Sequence, residues 1–126
     1  MRQIISTELA PKAIGPYSQA IKVNGFVFTS GQLPIDPKTG VFAEGGITEQ
    51  TKQVCENLKA VLDAAGTDMQ HAVKTSVFLS DIANFKAFNE VYATYFPTEP
   101  PARSTYQVAA LPMGALVEIE MTAVLL

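Results

Sequence analysis

A chain of 126 residues with a net charge of −3 and a pI of about 5.0 fits one domain, read here as 1–126. Its charge argues against broad electrostatic binding of nucleic acid, which needs Lys and Arg gathered on one face. Its nine basic residues are scattered along the chain. Charged residues make up only 17% against 48% hydrophobic, below the roughly 25% of an ordinary soluble domain, which points to surface covered by further copies of the chain. A single cysteine, Cys55, allows no intrachain disulfide, and one Cys with one His excludes a metal site of the usual zinc type within a chain. No signal-peptide pattern and no apolar run of about 18 residues is present, so the expected location is cytoplasmic, with no membrane partner.

In chain order, Gln3-Ile4-Ile5 reads as a short edge strand, and Ala10 to Tyr17, with Pro11, Gly15 and Pro16, as a loop. Ala20 to Val23 and Phe26 to Ser30 flank Asn24-Gly25, a pair that takes the positive φ angles of a type I′ hairpin turn. Gly31 to Gly46 is a long loop with Pro34 and Pro37. Thr48 is the expected N-cap of a helix reaching Ala65, because Val54, Leu58, Val61, Leu62 and Ala65 fall on one stripe; Gly66 ends it. Val73 to Leu79 reads as a strand. Asp81 caps a second helix from Ile82 to about Phe96, with Phe85, Phe88, Tyr92 and Tyr95 or Phe96 as its apolar face and Pro97 as its stop. After Pro97, Pro100 and Pro101, Ser104 to Val108 reads as a strand. In the last strand, Leu116 to Leu125, Val117, Ile119, Met121, Ala123 and Leu125 point one way and Glu118, Glu120 and Thr122 the other. The expected order is ββαβαβ with an extra N-terminal piece, an α+β fold with two helices on one face of a mixed sheet.

Among residues that can carry chemistry, Arg103 follows the stiff Pro100-Pro101-Ala102 approach and offers a planar fork suited to a carboxylate; the plain alternative is an ion pair to Glu118 or Glu120. Glu118 and Glu120 lie about 7 Å apart on one strand face and either divide acid and base roles or simply face water. Tyr17 in its loop contacts a ligand or plugs the sheet end. Ser30-Gly31 ends a strand where a glycine admits close approach to the backbone, or is a plain turn. Asn89 is a poor helix former inside the second helix, which suggests a hydrogen bond to a loop or to a site. His71 reads as solvated and Cys55 as a buried structural thiol. No P-loop, GxGxxG, HExxH or CxxC motif occurs.

Several motifs together carry more. Ala13-Ile14-Gly15-Pro16-Tyr17-Ser18-Gln19, Thr29-Ser30-Gly31-Gln32-Leu33-Pro34, Asn57-Leu58-Lys59-Ala60-Val61-Leu62 with Ala65-Gly66, Val73-Lys74-Thr75-Ser76-Val77-Phe78, Pro101-Ala102-Arg103-Ser104, Val108-Ala109-Ala110-Leu111-Pro112 and Val117-Glu118-Ile119-Glu120 resemble, in order and over nearly the entire chain, the RidA (YjgF/YER057c/UK114) family. The resemblance implies a chorismate-mutase-like α+β fold assembled as a homotrimer around a central β-barrel, with sites in clefts between subunits. It implies hydrolytic deamination of reactive 2-imino acids (2-iminobutanoate, 2-iminopropanoate) to 2-keto acids and ammonia, with no cofactor and no metal. It assigns the substrate carboxylate to Arg103, the activation of water to Glu118, and the lining of the cleft to Tyr17, Ser30, Gly31 and Asn89. Many members have Cys where this chain has Thr105, so no thiol nucleophile stands there, though Thr105 backbone groups can still contact a ligand. Two other readings are a non-enzymatic small-carboxylate-binding module and an endoribonuclease or translation inhibitor, the latter opposed by the acidic pI.

Overall fold

In a computed structural model that describes all 126 residues, eight elements of regular structure follow one another: β1 (Gln3–Ile5), β2 (Ala20–Val23), β3 (Phe26–Thr29), α1 (Ile47–Ala65), β4 (Ala72–Leu79), α2 (Phe85–Tyr95), β5 (Ala102–Gln107) and β6 (Val117–Val124). The order is therefore βββαβαββ; the strands expected at Ser104 to Val108 and Leu116 to Leu125 both form after α2 as β5 and β6, so the expected order ββαβαβ with an N-terminal piece is one strand short of its own elements. The strands form one sheet in the order β1-β2-β3-β6-β4-β5. Only the β4–β5 pair is parallel; α2 is the crossover that such a pair requires. The fold is α+β with a mixed sheet.

The alternation along β6 is realised fully. Val117, Ile119, Met121 and Ala123 are buried, Glu118 is half-buried and Glu120 is exposed. The buried set meets Val77 and Leu79 of β4 and the α1 stripe Val54, Leu58, Val61, Leu62 and Ala65 in one core cluster. Phe88, Tyr92 and Phe96 join the same cluster, so both helices lie on one sheet face. The β2–β3 turn has Asn24 at φ 50° and Gly25 at φ 81°, as a type I′ turn demands.

Two helix starts differ from expectation. Helix α1 begins at Ile47 after an N-cap at Gly46, not at Thr48; the Gly46 N–H donates to Glu49 Oε1 at 2.9 Å, so the carboxylate folding back one turn replaces the threonine hydroxyl. Asp81 does cap, accepting from the Ala83 N–H at 2.9 Å, but what it opens is a 3₁₀ turn over Ile82–Asn84, with the α-helix starting at Phe85. Phe85, expected in the apolar face, is 37% exposed. The strand expected from Ser104 starts at Ala102 and ends at Gln107.

The other sheet face is uncovered in the single chain. Ile4, Phe26, Phe28 and Tyr106 are 62%, 41%, 45% and 56% exposed. The register places Ile4 opposite Ile21, Ile21 opposite Phe28 and Tyr106 opposite Phe78, away from the helices. No helix is long and apolar enough to cross a membrane.

Leu58, fully buried at the centre of α1, tests the core. Leu58→Ala is expected to lower unfolding stability by about 2–5 kcal/mol, read as a lower urea midpoint with an unchanged slope.

Candidate active site

Strand pairing decides where Arg103 goes. It is the register partner of Thr75, and Thr105 that of Val77; Thr75 and Val77 are buried towards the helices, so Arg103 and Thr105 project to the helix side. There the Arg103 guanidinium lies over aromatic rings of α2, with Cζ 4.8 Å from the Tyr92 centroid, 5.5 Å from Phe85 and 5.6 Å from Phe88. These distances fall within cation–π range. Its Nη1 donates to Asn89 Oδ1 at 2.8 Å. The ion pair to Glu118 or Glu120 does not form: the one carboxylate contact of a basic side chain within the chain joins His71 Nδ1 and Asp68 Oδ1 at 2.6 Å. The His71 side chain is exposed to solvent, as expected, and contacts the exposed Asp68 carboxylate. Asn89, Tyr92, Pro101 and Arg103 line one open cleft.

Glu118 goes to the other side. It pairs with Phe78, which pairs with Tyr106, so its row crosses β5 three residues beyond Arg103. Two strand spacings and three residue rises put the two Cα atoms roughly 14 Å apart, on opposite faces. Glu118 shares a second cleft with Tyr17, Ser30, Gly31 and Pro112. The two clefts have no residue in common. Tyr17, Ser30, Gly31 and Glu118 come together in one, Asn89 and Arg103 in the other, and Thr105 lines neither.

A bulge that the sequence does not announce builds the Glu118 cleft. Phe28 pairs with Thr122, and Gln32 bridges Ile119; four steps along one segment match three along the other, so one residue is extra. The Thr29 hydroxyl accepts the Met121 N–H at 3.0 Å, and Ser30 bonds to the preceding loop, its Oγ donating to Ser18 O at 2.6 Å and its N–H to Gln19 O at 2.9 Å. Gly31 is thereby laid against Glu118. A Cβ there would sit 2.9 Å from Glu118 Cδ, so the glycine admits a carboxylate of the chain itself, closer than any side chain would allow. The Tyr17 hydroxyl accepts the Ile14 N–H at 3.3 Å, which keeps the loop folded over this cleft.

The two carboxylates of β6 sit in different environments, Glu118 half-buried and Glu120 exposed. Burial pushes the Glu118 pKa above the ordinary carboxylate value, and repulsion from Glu120 adds to this. Cys55 is buried within α1, and burial pushes its thiol up to about 12, which removes it as a nucleophile at neutral pH. The Thr105 Oγ1 is buried without a hydrogen-bond partner. A Thr→Val change there keeps the shape and deletes the orphan hydroxyl.

A carboxyl whose pKa is raised on folding adds stability at low pH, and that contribution is lost as the pH rises through the folded-state value. Wild-type stability should therefore step down just above the usual carboxylate range, and Glu118→Gln should lack the step. Thermal melts from about pH 4 to about pH 8 will show it; parallel curves for the two proteins exclude it. Thr105→Val should raise stability by about 1–3 kcal/mol, the desolvation penalty of an unsatisfied buried hydroxyl, measured by calorimetry.

Against known proteins, the family described as Endoribonuclease L-PSP matches residues 7–125. An Arabidopsis thaliana protein named Reactive Intermediate Deaminase A, chloroplastic, is 53% identical over 124 residues, 98% of this chain and 66% of that protein. The Mus musculus protein named 2-iminobutanoate/2-iminopropanoate deaminase is 51% identical over 124 residues, 98% of this chain and 92% of that one. The crystal structure of yeast Mmf1 has a TM-score of 0.96 at 43% identity, with both chains covered completely. That of E. coli TdcF with bound serine has a TM-score of 0.93 at 42% identity, covering 97% of this chain and 98% of that one. Likeness of this extent in both sequence and fold makes the chain a member of the RidA (YjgF) family, several of whose members carry the name of a reactive-intermediate deaminase.

Proposed function

We propose that the protein hydrolyses reactive 2-imino acids such as 2-iminobutanoate and 2-iminopropanoate to 2-keto acids and ammonia, without a cofactor, at sites built between copies of the chain. The observation that carries this reading is the state of Arg103, a guanidinium framed by aromatic rings, held by one amide oxygen and paired with no carboxylate of its own. A cation so placed favours an external planar anion. The name of the mouse relative points to 2-imino acids and that of the Arabidopsis relative to a reactive intermediate, and the bound serine of the E. coli structure is a small amino acid carrying a carboxylate.

The chemistry needs little beyond placement. An imine carbon is already electrophilic. Arg103 holds the carboxylate through two hydrogen bonds and fixes that carbon, with Asn89 and the Tyr92 ring aligning the guanidinium. Glu118, unprotonated, takes a proton from water as its oxygen bonds to the imine carbon. Glu118 returns that proton to the nitrogen of the tetrahedral adduct; the adduct's hydroxyl proton then passes by the same carboxylate to nitrogen as the C–N bond breaks, so that ammonia leaves and the C=O of the keto acid forms. Each turnover consumes one imine and one water and leaves Glu118 as it began. A carboxyl with a raised pKa suits a group that must both take and return a proton.

Arg103 and Glu118 lie on opposite faces of one sheet, so the reading requires a second copy. β5 is the sheet edge, so Arg103 lies at the rim, where it can face the uncovered side of a neighbour. That side is rich in exposed apolar residues, the surface property expected of a contact area. One heterologous contact repeated three times closes a ring, and a homotrimer around a central barrel is the assembly we propose. An endoribonuclease role finds less support in a chain of net charge −3 with one histidine.

Pure protein mixed with an imine generated in situ should accelerate keto-acid release; binding of 2-ketobutyrate without turnover would instead favour a small-carboxylate-binding module. Arg103→Lys and Glu118→Gln should each fold and lose turnover by about 10²-fold or more. The two inactive variants, unfolded and refolded together at equal amounts, should regain roughly a quarter of the sites if each site draws Arg103 and Glu118 from different copies of a ring. A mixture as inactive as its components would defeat the shared-site geometry, and mass measurement in solution gives the copy number.

A further inference from the structure

The hydroxyl pair that joins Thr75 to Tyr92 has no part in the chemistry above, yet it is placed beside the base of Arg103. Thr75 is fully buried and is the register partner of Arg103 on the neighbouring strand. Its Oγ1 lies 2.7 Å from the Tyr92 hydroxyl. The Tyr92 ring is the aromatic surface nearest to the guanidinium and is itself wedged between Phe88 and Phe96, at centroid distances of 5.3 and 4.6 Å. Burial pushes the Tyr92 phenol pKa up, so the O–H stays protonated.

Packing alone does not call for this pair. A Phe at 92 and a Val at 75 would fill the same space with no polar atom to desolvate, and a neutral buried hydrogen bond returns little net stability. The pair supplies direction instead. Helix α2 buries only Phe88 and Tyr92 within its length, and apolar contacts of that kind tolerate small slides of a helix on a sheet. Arg103 has one hydrogen bond inside the chain, to Asn89 of the same helix. One hydrogen bond and a ring face leave the guanidinium free to tilt as α2 shifts. A directional bond from α2 to β4, one strand from the point where Arg103 departs, removes that freedom.

We propose that Thr75 and Tyr92 are positioning residues, whose hydroxyl pair locks α2 to β4 and so holds the Arg103 guanidinium in the plane that receives a carboxylate through two hydrogen bonds. The inference rests on the carboxylate-binding role of Arg103 given above. Its test is the set Thr75→Val, Tyr92→Phe and the double variant. Each single change strands one buried hydroxyl and should lower stability, whereas the double change removes both partners and should return melting close to wild type. A structural role ends there. A positioning role predicts that the double variant, stable again, still shows a KM for the imine and a Kd for 2-ketobutyrate raised about tenfold, as expected for misaligning one charge-assisted hydrogen bond, with kcat changed much less. The Arg103 Nε–Hε resonance in ¹⁵N-resolved spectra should be single and sharp in wild type and broadened or shifted in the double variant. That readout needs neither turnover nor ligand, so absent imine hydrolysis would sink the deaminase reading without touching this one. A stable double variant with wild-type KM, Kd and Arg103 resonance overturns the proposal.

Discussion

The two-residue period of β4, β5 and β6 determines which side chains can meet. Val117, Ile119, Met121 and Ala123 must be buried for the sheet to carry its helices, which turns Glu118 outward. Thr75 and Val77 are buried on β4, and the parallel register with β5 then sends Arg103 under α2. Slipping either register by one residue would invert the faces and expose the core. The separation of guanidinium and carboxylate is thus enforced by the same burial that holds the fold together. Any chemistry that uses both must take them from different copies.

Much of this fold was legible in the sequence because its signals are local. The strict alternation of β6, the Asn24-Gly25 turn and the stripe from Val54 to Ala65 each appear in a window of a few residues, and each is found as expected. The surroundings of Arg103 were not legible in that way. They depend on a parallel pairing between strands some thirty positions apart and on where a helix lands between them, and Phe85 and Tyr92 read as plain core for that reason. Asn89 could be singled out because asparagine is a poor choice within a helix, and its bond to Arg103 supplies the reason for it. The bulge at Thr29-Ser30-Gly31 left no mark beyond a glycine, since a register offset exists only between two strands. The N-cap falls at Gly46 and not at the expected Thr48 because Glu49 reaches back to the Gly46 N–H.

The division across two faces also has an electrostatic consequence. Were Arg103 and Glu118 in contact within one chain, they would neutralise each other. At about 4 Å and an effective dielectric near 20 the attraction amounts to roughly 4 kcal/mol, enough to hold Glu118 ionised well below its ordinary range and to occupy the fork that an incoming anion needs. Held apart, Glu118 feels burial and Glu120 instead, and its pKa moves up. Arg103 feels only rings and an amide oxygen, and its charge stays available. In the proposed assembly a small 2-imino acid lies between the two groups. The substrate carboxylate then satisfies the guanidinium while leaving the glutamate free to handle protons. Within one chain the sheet therefore keeps the two opposite charges from neutralising each other.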